Sequence, residues 1–316
     1  MDSVFDYLLT EALDPTPLET IADAWTRHRA VAEQFGTTVD IAIAGGFGAD
    51  RLGFAFLSGY QQALRCLLPD ISADDLVAVS ATEAGGAHPS AIETRLTDTD
   101  AGWRVDGTKT FTTLGMLARR FLVIASAGAA ADGRNRLRAV LVEAGQSGVH
   151  VTNLPPVPFA PEIPHATVTF AGAVAEVLPG DGYSDYLKPF RTIEDVHVLA
   201  ATLGWLVRVG RASGWPRSAL QRLLAAVAFV RGLEMDRPTS PGGHIAIGGG
   251  YEYFEQVLTE LAPLWAQTDP VTRERWDRDR RLLATAGKVR AQRLTAAWLS
   301  VGIDGNQGDP AVLADS

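Results

Sequence analysis

From about residue 79 to about 177 the chain runs through short strand-like stretches with no helix-length segment between any two. "LVAVSATE", "AIETRLTD", "GWRVDG", "TKTFTT", "FLVIAS", "RAVLVEA", "VHVTNL" and "HATVTFAG" follow one another, separated by Gly, Asp and Pro turns. Parallel strands need a crossover of roughly a dozen residues, usually a helix, so this spacing predicts an antiparallel sheet or barrel instead of βαβ units. Helical periodicity holds on both sides, in "PLETIADAWTRHRAVAEQF" and "RLGFAFLSGYQQALRCLL" before the strands and in "FRTIEDVHVLAATLGWLVRVGRAS" after them. The expected class is α+β, with a helical part over 1–78, a β-domain over 79–177 and a helical part over 178–316.

Within the helical parts, "AIAGGFGAD" (42–50) reads as a turn between two helices, and "DRPTSPGGHIAIGGG" (236–250) as a loop. "RERWDRDRRLLATAGKVRAQRLTAAWLSVG" (273–302) reads as one long last helix, and 303–316 as a frayed tail. That last helix carries Arg273, Arg275, Arg278, Arg280, Arg281, Lys288, Arg290 and Arg293. Such a run is either a solvated face paired with Asp and Glu or a phosphate-gripping surface.

Apolar residues make up 47% of the 316, enough for a sizeable core. A formal net charge of -9 argues against unaided binding to nucleic acid or an anionic membrane, while leaving room for a local basic pocket. Cys66, the only cysteine, sits in an apolar helical pattern and reads as a packed thiol. The six histidines lack metal-ligand spacing, and the longest apolar stretches fall short of the ~20 residues that span a bilayer. The opening "MDSVFDYLLTEALD" has no basic n-region, so the expectation is a cytoplasmic protein without a structural metal.

Two neighbouring stretches look suited to a ligand. "ATEAGGAHPS" (81–90) leaves a strand and bends sharply, its small residues allowing close approach to the backbone. "GWRVDGTKTFTT" (102–113) reads as a hairpin turning at Asp106-Gly107, with Phe111 and Thr113 on one face of the returning strand. An aromatic plate beside a hydroxyl suits a planar heterocycle. On periodicity alone the same residues also read as a core Phe and a Thr chosen for β-propensity.

Together "ATEAGG" and "GWRVDGTKTFTT" resemble the middle β-domain of the acyl-CoA dehydrogenase family, whose pattern is Thr-Glu-Pro-Gly-Ala-Gly-Ser-Asp, then Gly-Trp-x-Val/Leu-x-Gly-x-Lys-x-Trp/Phe-Ile-Thr. "EIPHATVTFAGAVAEVLPGDGY" resembles the family's last β segment, and the helix–β–helix order is the family's order. The resemblance implies that fold, with a shortened C-terminal bundle, and an FAD site. Carried over residue by residue, Thr82 would bond the pyrimidine side of the flavin ring, Phe111 would pack on it, and Thr113 would hydrogen-bond near N5. It also implies removal of an acyl α-proton by a carboxylate while the β-hydride passes to flavin. The substrate would be an acyl thioester of CoA or of a carrier protein. The base that some family members carry ten residues before a Gly on the first C-terminal helix falls on Glu194, counted back from Gly204. Thr192, Glu194 and Asp195 also read as an ordinary helix N-terminus, with Thr192 as its cap, and His197 as a packed histidine.

The chain departs from the family on the adenylate side. The Arg-x-x-Phe-Gly that grips a neighbouring subunit's FAD pyrophosphate is missing, although Gln221 keeps its spacing from Pro216. His88-Pro89 stand where the family has Ser-Asp, and His244 in "HIAIGGGY" where it has Gln. The expected activity is an FAD-dependent acyl-thioester dehydrogenase, in a homo-oligomer or in a hetero-oligomer with a paralogue. The alternative is a flavin-free homologue, acting as a partner subunit or as a non-redox enzyme with His88 and Glu194 as acid and base.

Overall fold

Four helices open the chain: α1 (Val4–Thr10), α2 (Ile21–Ala32), α3 (Thr38–Gly48) and α4 (Leu52–Leu67). The computed structural model describes residues 3–129 and 132–303. Most of the tail read at 303–316 therefore lies outside the described residues. Helix α2 begins on a capping box, in which Thr20 and Asp23 each satisfy the other's backbone N–H. The stretch 42–50, expected as a turn, is instead mostly the end of α3. Its glycines serve packing: a Cβ on Gly46 would lie 1.9 Å from the Ala201 carbonyl oxygen.

Eight strands follow: β1 (Val77–Ser80), β2 (Arg95–Thr99), β3 (Gly102–Thr113), β4 (Arg120–Ala129), β5 (Asn135–Glu143), β6 (Val149–Asn153), β7 (His165–Val174) and β8 (Glu176–Val177). They form one sheet in the order β6-β7-β3-β2-β4-β5-β8, with β1 attached to β4. Most pairs are antiparallel as expected, but β1 runs parallel to β4, and β2 meets β4 in parallel at Arg95 and Ser126. Both faces of β4 are buried, and its alternation divides them. Phe121, Val123 and Ala125 enter a core enclosed by the sheet, while Leu122 and Ile124 join the core shared with the helices.

The expected turn at Asp106-Gly107 does not form. Residues 102–113 are one continuous strand that pairs with β2 on one side and β7 on the other. The glycine serves an irregularity: its φ is +147°, and a Cβ would come within 2.6 Å of the Thr94 hydroxyl oxygen. The Asp106 carboxylate accepts the Gly172 N–H across that irregularity at 2.7 Å.

After the sheet come α5 (Lys188–Ala212), α6 (Arg217–Arg231), α7 (Pro241–Leu261), α8 (Pro270–Asp279) and α9 (Gly287–Ser300). Helix α7 takes in ten residues read as loop, because Ser240 caps it through the Gly243 N–H and Pro241 occupies its first turn. Its glycines again mark contacts, Gly248 against Leu294 and Gly250 against the Phe229 ring. The single last helix expected over 273–302 is broken into α8, a 3₁₀ stretch over Arg280–Ala284, and α9. At the break the fully buried Asp279 carboxylate accepts the Ala160 N–H at 2.6 Å, which ties the end of α8 to the loop before β7.

Helix α5 lies in backbone contact with α3 and α4. A Cβ on Gly204 would stand 1.9 Å from the Ile43 carbonyl oxygen, and one on Gly59 would stand 2.6 Å from the His197 carbonyl oxygen. Gly46→Ala and Gly204→Ala should each lower the unfolding free energy by about 1–3 kcal/mol or more. Gly36→Ala, with nothing within 4 Å of the added carbon, is the neutral control. Urea unfolding reads the difference, and wild-type stability in either seam variant would contradict the contact.

Candidate active site

The site begins with how α5 starts. Asp181 accepts the N–H groups of Tyr183 and Ser184 at 3.0 and 2.8 Å, opening a wide turn over Gly182–Leu187 that runs directly into α5. The helix therefore starts at Lys188, before Thr192. Thr192 is no cap; its hydroxyl instead accepts from Arg293 at 3.1 Å. Glu194 and Asp195 stand in the second turn, past the reach of the helix N-terminus.

Glu194 faces a cavity of about 210 Å³ between α5, β3, the start of β7, α7 and the connection from α8 to α9. Phe56, Phe159, Ile163, Val198, Leu282 and Leu283 give it mostly apolar walls. Among the described residues, no hydrogen bond reaches the Glu194 carboxylate. Desolvation, reinforced by the neighbouring Asp195 charge, pushes its carboxyl up to about 8 against the pull of Arg191 and Arg293.

Opposite stand Phe111 and Thr113, both lining the same cavity as their alternation predicts. The Phe111 ring stacks on His165 at 4.3 Å between centroids and 23° between planes, yet remains 42% exposed. Burial pushes the His165 imidazole below its ordinary range, and its Nδ1 has no partner among the described residues.

The strand is held from behind by a buried ion pair. Lys109 Nζ donates to Glu83 at 2.6 Å, to the Ile124 carbonyl at 2.6 Å and more weakly to the Ala81 carbonyl at 3.4 Å. Burial pushes the ammonium down to about 8 against the pull of Glu83, so it stays charged at neutral pH. Burial raises the Glu83 carboxyl, but the Lys109 bond and the N–H groups of Glu93 and Thr94 outweigh this and hold it below its ordinary value. The ladder with β7 breaks register between Lys109 and Thr112, which turns Lys109 inward and leaves Phe111 facing the cavity. Thr82 is next to this wall without lining the cavity: its carbonyl accepts the Thr110 N–H at 2.9 Å, and it bridges Phe111.

A second ion cluster fixes the opposite rim. Arg290 donates to Asp195 at 3.0 Å and to the Leu283 carbonyl at 2.8 Å, and stacks over the Tyr251 ring at 4.0 Å. Arg293 also donates to Asp195, while the Tyr251 hydroxyl donates to the Asp195 carbonyl oxygen at 2.9 Å. Two members of the arginine run are thus paired with one carboxylate and anchor α9 to α5.

Other sequence candidates fall elsewhere. Gln221 is exposed on α6, away from the cavity. His88 is exposed and bonds Ser90, whereas His197 is buried between the Ile193 carbonyl and the Thr38 hydroxyl. Among the described residues no His, Cys, Asp and Glu group could hold a metal, and no helix is long and apolar enough to cross a membrane. His165 and the Lys109–Glu83 and Asp195–Arg290 pairs were not singled out from sequence. Their partners lie 26 to 95 residues apart, so only the Glu and Lys inside the two motifs offered a signal.

A half-buried carboxyl desolvated in this way should also register in stability. Its folded value of about 8 lies above the ordinary 4.5, so the stability it supports is lost as pH rises between these values. Glu194→Gln, which mimics the protonated form, should gain stability over wild type progressively from about pH 4.5 to 8 and hold that margin above. Thermal unfolding measured across this range gives the margin; a pH-independent difference would contradict the desolvated, unpaired carboxyl.

Residues 78–172 match the family model described as acyl-CoA dehydrogenase, middle domain. No curated protein matches the chain. Among solved structures, the prolyl acyl carrier protein oxidase AnaB is 12% identical, with 93% of this chain and 96% of that one covered at a TM-score of 0.67. Butyryl-CoA dehydrogenase from Megasphaera elsdenii is 15% identical, with 88% and 89% covered at 0.65. The FAD complex of PigA is 14% identical, with 95% and 92% covered at 0.63. At these identities the likeness is one of fold.

Proposed function

This chain is an acyl-CoA dehydrogenase-like protein, its centre matched by the family's middle-domain model and its fold by structures of that type; on that premise we propose that it is an FAD-dependent dehydrogenase of acyl thioesters with Glu194 as the base. The observation that carries this reading is a carboxylate without hydrogen bonds facing an uncovered aromatic wall across an apolar cavity. The fold neighbours include a protein named for a carrier-bound substrate and one named for a CoA ester, so the proposal is made for the thioester common to both.

The residues present fit the ring end of a flavin. Phe111 offers a flat face, Thr113 a hydroxyl on the same strand face, and Thr82 lies on the adjoining backbone. Gln221, exposed on α6, would meet such a cofactor only across a contact with a second copy. When bound, the flavin would supply the acceptor for a hydride from the substrate's β-carbon.

The chain's own part is proton transfer. A thioester carbonyl acidifies its α-carbon, and Glu194, raised to about 8, is a strong enough base to take that proton once ionised. The apolar walls exclude water that would otherwise weaken the base by solvating it. Activity should rise with pH and level off above about 8, the ionised carboxylate being the competent form.

The test is exchange of the substrate α-proton in deuterated buffer, followed by NMR with butanoyl-CoA and a carrier-bound acyl group. Glu194→Gln should slow exchange about 10²–10⁴-fold while leaving cofactor affinity unchanged. Exchange at the wild-type rate would remove Glu194 as the base.

A further inference from the structure

Most polar side chains around the cavity beside Glu194 are already committed. Tyr251 and Arg290 are bonded to Asp195, and the Thr285 hydroxyl donates to the Arg281 carbonyl at 3.4 Å. Among the described residues no side-chain hydrogen bond reaches Glu194, Thr113 or His165. The proposed function supplies partners for the first two, the acyl α-proton and the flavin N5 edge. His165 is left over.

A half-buried imidazole without a partner loses hydration and gains nothing in return, so a ligand that bonds it is favoured over one that does not. Burial holds this ring below its ordinary range, so at neutral pH it is neutral and carries a single N–H. Its Nδ1 is sealed from solvent with no partner, and an orphaned donor is tolerated less well there than an orphaned lone pair. The proton therefore belongs on Nε2, which is not sealed off. Stacking on Phe111 fixes the plane of the ring.

Thr113 and His165 are direct partners across β3 and β7, so their side chains leave the sheet as neighbours on one face. Thr82 pairs with Phe111 on the other side of β3. A flavin whose polar pyrimidine edge meets Thr82 turns its hydrocarbon edge toward His165, and that edge has nothing for an imidazole to bond. The substrate has. With the α-carbon at Glu194 and the β-carbon at flavin N5 beside Thr113, the next carbon of the acyl group falls beside His165.

From this placement we infer that His165 is a specificity residue whose Nε2–H donates to an oxygen on the γ-carbon of the acyl group, so that γ-oxygenated acyl thioesters are taken in preference to hydrocarbon ones. The inference rests on the proposed thioester reading and adds the class of acyl group.

Calorimetric binding of γ-oxopentanoyl-CoA and γ-methylpentanoyl-CoA to the full chain, supplied with FAD, tests this. The two esters differ only in a carbonyl oxygen replaced by a methyl group. Wild type should bind the oxo ester about tenfold or more tightly, because the methyl ester leaves the imidazole N–H unpaired in a closed site. His165→Phe keeps a ring to stack on Phe111 and loses both nitrogens; it should erase or reverse the preference while FAD affinity stays at the wild-type value. His165→Gln, which restores an N–H near the Nε2 position, should recover part of the preference. Equal affinity for the two esters in wild type, or a preference that survives in His165→Phe, would overturn the assignment. Loss of FAD affinity in His165→Phe would overturn it in favour of a flavin contact. Flavin bleaching by each ester, read in the same samples, separates the two claims. Equal affinities with bleaching remove the role of His165 and keep the dehydrogenase. A His165-dependent preference without bleaching keeps that role and removes the dehydrogenase. Failure to bind either ester removes both.

Discussion

Helix α5 lies so close to α3 and α4 that no side chain fits at Gly46, Gly59 or Gly204. Gly46 meets the Ala201 carbonyl and Gly204 the Ile43 carbonyl, so each of α3 and α5 yields a glycine to the other's backbone, while Gly59 of α4 does the same at His197. Contact this close fixes the rotation and height of α5, because a shift in either drives backbone into backbone. Glu194 lies one turn before Val198, which Gly59 touches, at the point where the seam ends and the cavity opens. A carboxyl there loses much of its water without gaining a hydrogen-bond partner among the described residues.

Two ion systems support the cavity walls, one behind β3 and one at the rim, each adjacent to a site residue. Lys109–Glu83 ties β3 to the segment after β1, two residues from Phe111. Asp195 with Arg290 and Arg293 ties α9 to α5, directly beside Glu194. Burying such charges costs desolvation that their attraction only partly repays, so their value is not mainly stability. They fix register: breaking either leaves an unpaired charge in a dry interior, which penalises every slipped arrangement of the strand or the helix.

Much of this was legible in the sequence. The class came from the missing crossovers, and Phe111, Thr113 and Glu194 came from motif position; all three line one cavity. Glycine was the main source of error. In "AIAGGFGAD" and "HIAIGGG" it was read as a turn former, but Gly46, Gly248 and Gly250 are helical residues chosen for close approach. Gly107 was read as a hairpin turn and instead serves a strand irregularity. No local pattern separates these uses, because the deciding atoms belong to Ala201, Leu294, Phe229 and Thr94, far along the chain. The same distance hid His165 and both ion pairs. In the arginine run the pairing with acidic residues was legible but the partners were not: two of its members are committed to one aspartate about a hundred residues earlier.

The claim on which the functional account stands is that the wall formed by Phe111 and Thr113 holds a flavin ring. The visible absorption spectrum of the purified chain, titrated with FAD, tests it most directly. The account predicts stoichiometric flavin with a spectrum shifted from that of free FAD, and a weaker complex in Phe111→Ala. A colourless chain that leaves the FAD spectrum unchanged would contradict it and favour a flavin-free homologue or partner subunit.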